Sequence, residues 1–129
     1  MKKYFLGLLL ITFSFCASAQ TKRNPKHKKA LVHTVYFYLK NKDSRSAKDS
    51  LYQGILTLLD IKEIQEAYVG SPAATRRSVI DFSYNYSTTF IFKNKEEQDA
   101  YQNHPIHLKF VKNYSHLWER VQVYDAEGL

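Results

Sequence analysis

The chain has a single cysteine, and its position removes it from the folded part. Cys16 lies within residues 1–19, where Lys2 and Lys3 precede an apolar run from Phe5 to Phe15 and Ala17-Ser18-Ala19 follows it. That is the layout of a cleavable export signal. Cleavage before Gln20 leaves a mature chain with no disulfide, no thiol nucleophile and no cysteine metal ligand, so its stability must come from packing. The apolar run is shorter than the roughly 20 residues a membrane-spanning helix needs. The expected product is exported, periplasmic or secreted, with no integral membrane segment once the signal is removed. The rival reading of Cys16 as the lipid-bearing residue of a lipoprotein is disfavoured by Phe15, which fills the preceding position where a small residue is expected.

Glycine is scarce too, with four in 129 residues and none clustered, which excludes a Gly-rich phosphate-binding loop. A serine-nucleophile elbow is likewise missing. Acidic residues are in deficit overall, and the formal charge of +7 invites a nucleic-acid reading. The excess is local, however. Lys22, Arg23, Lys26, Lys28 and Lys29 sit in a short tail over residues 20–30, and from Ala30 onward twelve Lys and Arg face twelve Asp and Glu. Capture of phosphate would fall to the tail alone, so no nucleic-acid partner is expected, and the tail reads as a solubilising spacer with weak anionic-surface binding as the alternative.

What is present is a run of β-formers and aromatics. Leu31 to Leu39 (LVHTVYFYL) reads as a strand with two largely apolar faces, which should be covered on both sides. Ser46 with Asp49 resembles a helix-opening cap, and Leu51, Ile55, Leu58 and Leu59 recur on one helical face despite Gly54. Residues 64–69 read as a shorter strand stopped by Gly70-Ser71-Pro72. The alternation of Phe82, Tyr84, Tyr86, Thr88, Phe90 and Phe92 predicts a long third strand over 79–92 with an aromatic face. Asn94 with Glu97 opens a short helix, a second helix begins at Pro105, and Trp118 to Tyr124 closes the domain as a strand.

The predicted order is β-α-β-β-α-β with the last helical region broken in two. This is the α+β, ferredoxin-like arrangement, a four-stranded antiparallel sheet with helices on one face, filling residues 31–129 as one domain. The layout leaves the other sheet face open. Its apolar and aromatic content predicts a homodimer in which two sheets pack into a shared dimeric α/β barrel.

Chemistry concentrates in Ala100-Tyr101-Gln102-Asn103-His104-Pro105-Ile106-His107. Proline suits a first helical turn, and the residue before it is pushed out of the α region, which suits His104 to an N-cap. His107, Val111, Tyr114 and Trp118 follow a three-to-four residue step with Phe110 beside them, so the imidazole falls on or beside the buried stripe. A satisfied core histidine is one reading. The sharper one pairs His107 with Tyr101 as proton acceptor and donor at a carbonyl or enolate, chemistry that needs no metal or organic cofactor. His33 on the first strand is a third polar group for the same cavity. A metal site is disfavoured because Pro105 breaks the register between His104 and His107 and no carboxylate stands at ligand spacing. A haem pocket has no local motif. Arg76-Arg77 reads as a solvated loop pair.

The segments HTVYFYLK, Gly70, FIFKNKEEQDAYQNHPIH and WERVQVYD resemble the stress-responsive dimeric α/β-barrel family, Dabb, over nearly the whole domain, and most specifically in Tyr-x-x-His-Pro-x-His. The resemblance implies a ferredoxin-like homodimer. In plant members that act as polyketide cyclases, the positions matching Tyr101 and His107 serve as an acid/base pair. This chain departs from them at Tyr86, where those cyclases carry a histidine, and an exported protein is removed from cytosolic thioester-linked polyketides. The leading expectation is therefore an exported barrel binding a small apolar or aromatic compound, with Tyr101 and His107 as candidate catalytic groups and His33, Tyr86, His104 and Trp118 as candidate ligand contacts. A cofactor-independent acid/base enzyme and a non-catalytic structural or interaction module are the alternatives.

Overall fold

The structure, a computed structural model, describes residues 29–129. The expected signal over 1–19 and most of the 20–30 tail lie outside the described residues. The domain is anchored at its start by Ala30, which is buried and whose carbonyl accepts from the Gly128 amide at 2.9 Å.

Strand β1 (Leu31–Leu39) pairs antiparallel with both β3 (Tyr86–Phe92) and β4 (Trp118–Glu127), and β2 (Glu66–Gly70) pairs with β3, giving the sheet order β2-β3-β1-β4. Helix α1 (Arg45–Thr57) follows β1, and helices α2 (Lys95–Gln102) and α3 (Pro105–Tyr114) follow β3. The described domain is therefore the ferredoxin-like β-α-β-β-α-β arrangement with a divided second helical region.

Cross-strand partners share a face, and this sorts the side chains. Leu31, His33, Val35, Phe37 and Leu39 of β1 stand on the same side as Thr88, Phe90 and Phe92 of β3, and all are buried. They meet Leu51, Ile55, Leu58 and Ile61 from α1 and its continuation, with Tyr101 of α2 and Phe110 of α3. Burying each such aliphatic or aromatic side chain contributes about 1.5–3 kcal/mol. The 51, 55, 58 spacing belongs to the helical face read in the sequence, whereas Leu59, read with it, is 42% exposed. Gly54 lies beside that face, because a Cβ there would come within 2.7 Å of the Tyr114 ring; its cost in helix propensity is the condition for α1 and α3 to approach so closely.

Three sequence expectations are corrected. Helix α1 is opened by Ser44, whose hydroxyl accepts from the Ala47 amide at 3.2 Å, and not by Ser46 with Asp49. The second strand is Glu66–Gly70, shifted from 64–69. The third strand begins at Tyr86, not at 79, because Asn85 ends the ladder: its side-chain oxygen accepts from the Leu39 amide at 2.9 Å and its own amide donates to the Phe37 carbonyl at 2.8 Å. Upstream, the Asp81 carboxylate accepts from the Ser83 amide and hydroxyl, folding 81–83 into an Asx turn that mimics alternation without extended pairing.

The aromatic ladder accordingly divides. Phe90 and Phe92 lie under the helices. The uncovered face carries a different set, in which Tyr36 packs on Tyr84 at 4.8 Å and on Tyr124 at 6.2 Å between ring centroids. There too the Arg120 guanidinium sits 3.7 Å over the Tyr38 ring. Tyr124 and Tyr68 remain 60% and 65% exposed in the single chain.

Candidate functional site

The site is built where the α2–α3 joint meets the helix-covered face of the sheet. Asn94 caps α2 by accepting from the Glu97 amide at 2.9 Å, and Glu97 reaches back to the Lys93 amide at 3.2 Å, a capping arrangement that sets the helix's entry. Two turns on, this carries Tyr101 into the core, where it is 2% exposed. The chain then breaks. His104 takes an extended conformation at the N-cap of α3, its Nδ1 accepting from the Ile106 amide at 3.2 Å, with Pro105 in the first turn. The break turns His107 back toward Tyr101, with ring centroids 4.7 Å apart.

Beneath this pair lies a cavity of about 120 Å³ lined by His33, Val35, Thr88, Tyr101, His107 and Trp118, among other side chains that are mainly apolar. Its polar members are poised differently. The His107 Nδ1 lies 3.0 Å from the Gln102 carbonyl oxygen. A carbonyl only accepts, so Nδ1 carries the proton and Nε2 is left as a bare acceptor. Burial pushes the imidazole's pKa below its ordinary value, opposed by the Gln102 hydrogen bond and reinforced by the nearby His33, so it is held neutral. Burial also pushes the Tyr101 phenol well above the ordinary phenol range, keeping it a neutral donor. Its hydroxyl makes no hydrogen bond with another described residue and is not among the fully buried unpartnered atoms, so it opens on the cavity.

His33 reaches the same cavity from β1. It is 3% exposed, contacts the Tyr101 ring edge-on at 5.9 Å, and its Nδ1 lies 2.6 Å from the Asp125 carboxylate of β4. The sequence reading assigned Asp125 no role. Only the register places it opposite His33, 92 residues away; counting an antiparallel pairing of the first and last strands would have found it. The Gln102 carbonyl, which fixes the His107 tautomer, is a backbone group with no sequence signal.

Among the sequence-derived candidates, the structure brings Tyr101, His107, His33 and Trp118 to one cavity. It does not bring Tyr86 there. That ring stacks on Tyr52 at 5.8 Å and borders a separate recess with Lys48, Pro72 and Asn85. Nor does it bring His104, which is occupied as the α3 cap and lies outside the lining. The helical stripe also differs in detail, since Phe110 is the buried residue of α3 while Val111 is 39% exposed. Among the described residues no group of three or more His, Cys, Asp or Glu stands close enough to hold a metal ion.

Residues 31–127 match the family model described as the stress responsive A/B barrel domain, Dabb. A comparison with curated proteins gives no match. Among solved structures, a Dabb family protein with a ferredoxin-like fold from Mesorhizobium loti superposes with a TM-score of 0.65 at 20% identity, covering 79% of this chain and 99% of that one. A dimeric ferredoxin-like protein of unknown function from Thermobifida fusca gives 0.64 at 13% identity, covering 78% and 92%. A hydroxynitrile lyase from Passiflora edulis gives 0.62 at 19% identity, covering 77% and 93%.

Proposed function

Because this chain belongs to the stress responsive A/B barrel domain family, we propose that it works as a homodimeric barrel whose helix-covered cavity binds a small, mainly apolar or aromatic compound bearing one carbonyl-type oxygen. The observation that carries this reading is the Tyr101 hydroxyl: borne on a ring that is 2% exposed, neutral, without a hydrogen bond to another described residue, and open to the cavity beside the bare Nε2 of a neutral His107. A hydroxyl that faces an open cavity and has no partner in the protein is free to bond a guest, and a ligand oxygen or a water is the partner the site offers it. The size of the compound follows from the cavity. An apolar space of about 150 Å³ admits benzene, so about 120 Å³ limits the occupant to no more than one ring or a short branched chain.

Acid/base turnover is the second reading, favoured specifically by the tautomer lock from Gln102. With the oxygen held by Tyr101, the His107 Nε2 is the group to take a proton from the adjacent carbon. A hydroxynitrile lyase shares the fold, but at that identity the likeness concerns the fold alone.

Acetophenone is a suitable first probe, having one ring, one carbonyl and exchangeable α-protons. Titration followed by histidine side-chain NMR should give saturable shifts at His107, weakened by Tyr101→Phe. No saturable response to acetophenone or to a panel of single-ring aldehydes and ketones, with the dimer intact, overturns the binding reading. Deuterium entering the acetophenone methyl group in D₂O, and failing to do so with His107→Gln, would establish turnover. Binding without exchange leaves a binder only.

Two further parts of the proposal rest on other observations. The tyrosine-rich open face supplies the dimer contact, a role consistent with the solved relatives described as dimeric. Export rests on residues 1–19 of the sequence. Terminal sequencing of protein from a cell-envelope fraction should find Gln20 first, and a full-length chain confined to the cytosol would refute export.

A further inference from the structure

One polar group of the cavity is itself buried but tied to a side chain that reaches water. His33 lines the cavity with its side chain 4% exposed, yet its Nδ1 is 2.6 Å from Oδ1 of Asp125, whose side chain is 46% exposed at the β4 edge of the sheet. The imidazole is held by its surroundings: edge-on to Phe92 at 6.3 Å and to Tyr101 at 5.9 Å, and opposite Phe90 in the β1–β3 register. A carboxylate at Nδ1 selects the tautomer with the proton on that nitrogen and leaves Nε2 as an acceptor. Apart from the histidines and Tyr101, the lining offers no titratable side chain and no Lys, Arg, Asp or Glu, only the neutral Thr88, Gln102 and Trp118 as polar groups. The Nδ1 of His107 relays no proton onward, since it ends on the Gln102 carbonyl, which cannot take one.

We infer that Asp125 and His33 form a proton-transfer path between the buried Tyr101–His107 pocket and solvent. The inference deepens the pocket reading above and rests on it for its purpose, while the path itself is measurable without any ligand. In one passage, His33 Nε2 accepts a proton from the cavity, directly or through a water, as Nδ1 releases its own to Asp125 Oδ1. The carboxylic acid then gives that proton to bulk water, leaving one proton outside and imidazole protonated at Nε2. The reverse passage, with water protonating Asp125, Asp125 reprotonating Nδ1 and Nε2 returning its proton to the pocket, restores the starting state. No other reactant enters, and atoms and charge balance at each transfer. A ligand that fills the cavity displaces its water and closes the direct route, and the Asp125–His33 path then remains as the refill.

The test follows exchange of the Tyr101 hydroxyl proton with water by NMR on tyrosine-labelled dimer. In the native protein this exchange should be far faster than that of the Phe90 and Phe92 amides, which exchange only when the core opens. Asp125→Asn keeps the size and an acceptor oxygen but cannot carry the proton. It should slow Tyr101 exchange about tenfold or more, the scale on which a positioned acid/base group accelerates proton transfer, and Asp125→Glu should restore it. An unchanged rate in a folded Asp125→Asn protein overturns the path. Should that variant not fold, the native comparison decides: a Tyr101 hydroxyl as slow as the Phe90 amide overturns it equally. Acetophenone binding is read separately, so a pocket that exchanges protons but binds no probe refutes the ligand reading and leaves the path standing.

Discussion

Replacing Tyr101 by Phe separates a structural tyrosine from a functional one, and the structure sets the size of each effect. The ring is 2% exposed and packs against Phe90, Phe92, His33 and His107 at 5.9, 5.0, 5.9 and 4.7 Å between centroids. Phenylalanine retains all four contacts and creates no cavity beyond the lost oxygen. A tyrosine hydroxyl bonded within a core contributes about 0.5–1.5 kcal/mol net, so its removal ordinarily destabilises by that amount. Here there is no such bond to lose among the described residues, and a hydroxyl fully buried without a partner would cost about 1–3 kcal/mol. Since the adjoining cavity can admit water, most of that cost is already relieved. The expected change in stability is therefore between zero and a gain of about 1 kcal/mol. The assay is urea denaturation at fixed protein concentration, because dimerisation couples stability to concentration. Trp118, the single tryptophan, reports from the edge of the same cavity. Acetophenone affinity should fall by about twofold to thirteenfold, the equivalent of about 0.5–1.5 kcal/mol. A variant that loses 1 kcal/mol or more of stability, with affinity for the probe unchanged, would refute the reasoning and make the hydroxyl an internal structural partner.

Other outcomes follow from neighbouring features. Gly54→Ala gains about 1 kcal/mol of helix propensity but sets a Cβ 2.7 Å from Tyr114 Cδ2 and Cε2, where overpacking costs about 1–3 kcal/mol. A net loss near 1 kcal/mol in denaturation is expected, and a stabilised variant would show that the Tyr114 ring swings aside freely. His107 has a folded pKa depressed below 6.5, chiefly by burial, so below that pH the unfolded chain takes up a proton that the folded one resists. Stability should fall as pH drops through the window under 6.5 and level off below the folded value. Denaturation at pH 7.5 and 5.5 should show this component shrinking in His107→Gln, and an unchanged pH difference contradicts it. Tyr124→Asp places a charge in the proposed sheet-to-sheet contact, where an unpaired buried charge costs several kcal/mol. Sedimentation should find monomers, and a persistent dimer would mean that the subunits meet through another surface.

The parts of the fold that were legible in the sequence are those governed by local periodicity. The 51, 55, 58 face of α1 and its continuation, and the alternation of Thr88, Phe90 and Phe92, identify the elements and their buried sides because burial acts on every residue of the repeat. The failures arise where a side chain replaces a backbone hydrogen bond. Asn85 takes the pairing that a longer strand would have made with Leu39, and Ser44 outcompetes Ser46 as a cap because it lies one residue before the first helical turn. Tyr101 and His107 are visible as a pair because only six residues separate them, whereas Asp125 is joined to His33 by strand register alone and is silent in any window of sequence.

The joint at Asn103-His104-Pro105 has a consequence for how this pair is adjusted. In one unbroken helix, side chains six residues apart are rotated by about 240° and displaced by about 9 Å along the axis, so they face different directions and never meet. Tyr101 and His107 nevertheless stand ring to ring at 4.7 Å. Their separation is thus an angle between two rigid rods, not a pitch. A substitution that let α2 run on into α3 would raise the helix content and dissolve the pair. A residue gained or lost at the joint would instead re-aim one ring against the other while the sheet beneath kept its register. Chemistry in such a pocket is tunable at a hinge three residues long, largely independently of the core that keeps the domain folded.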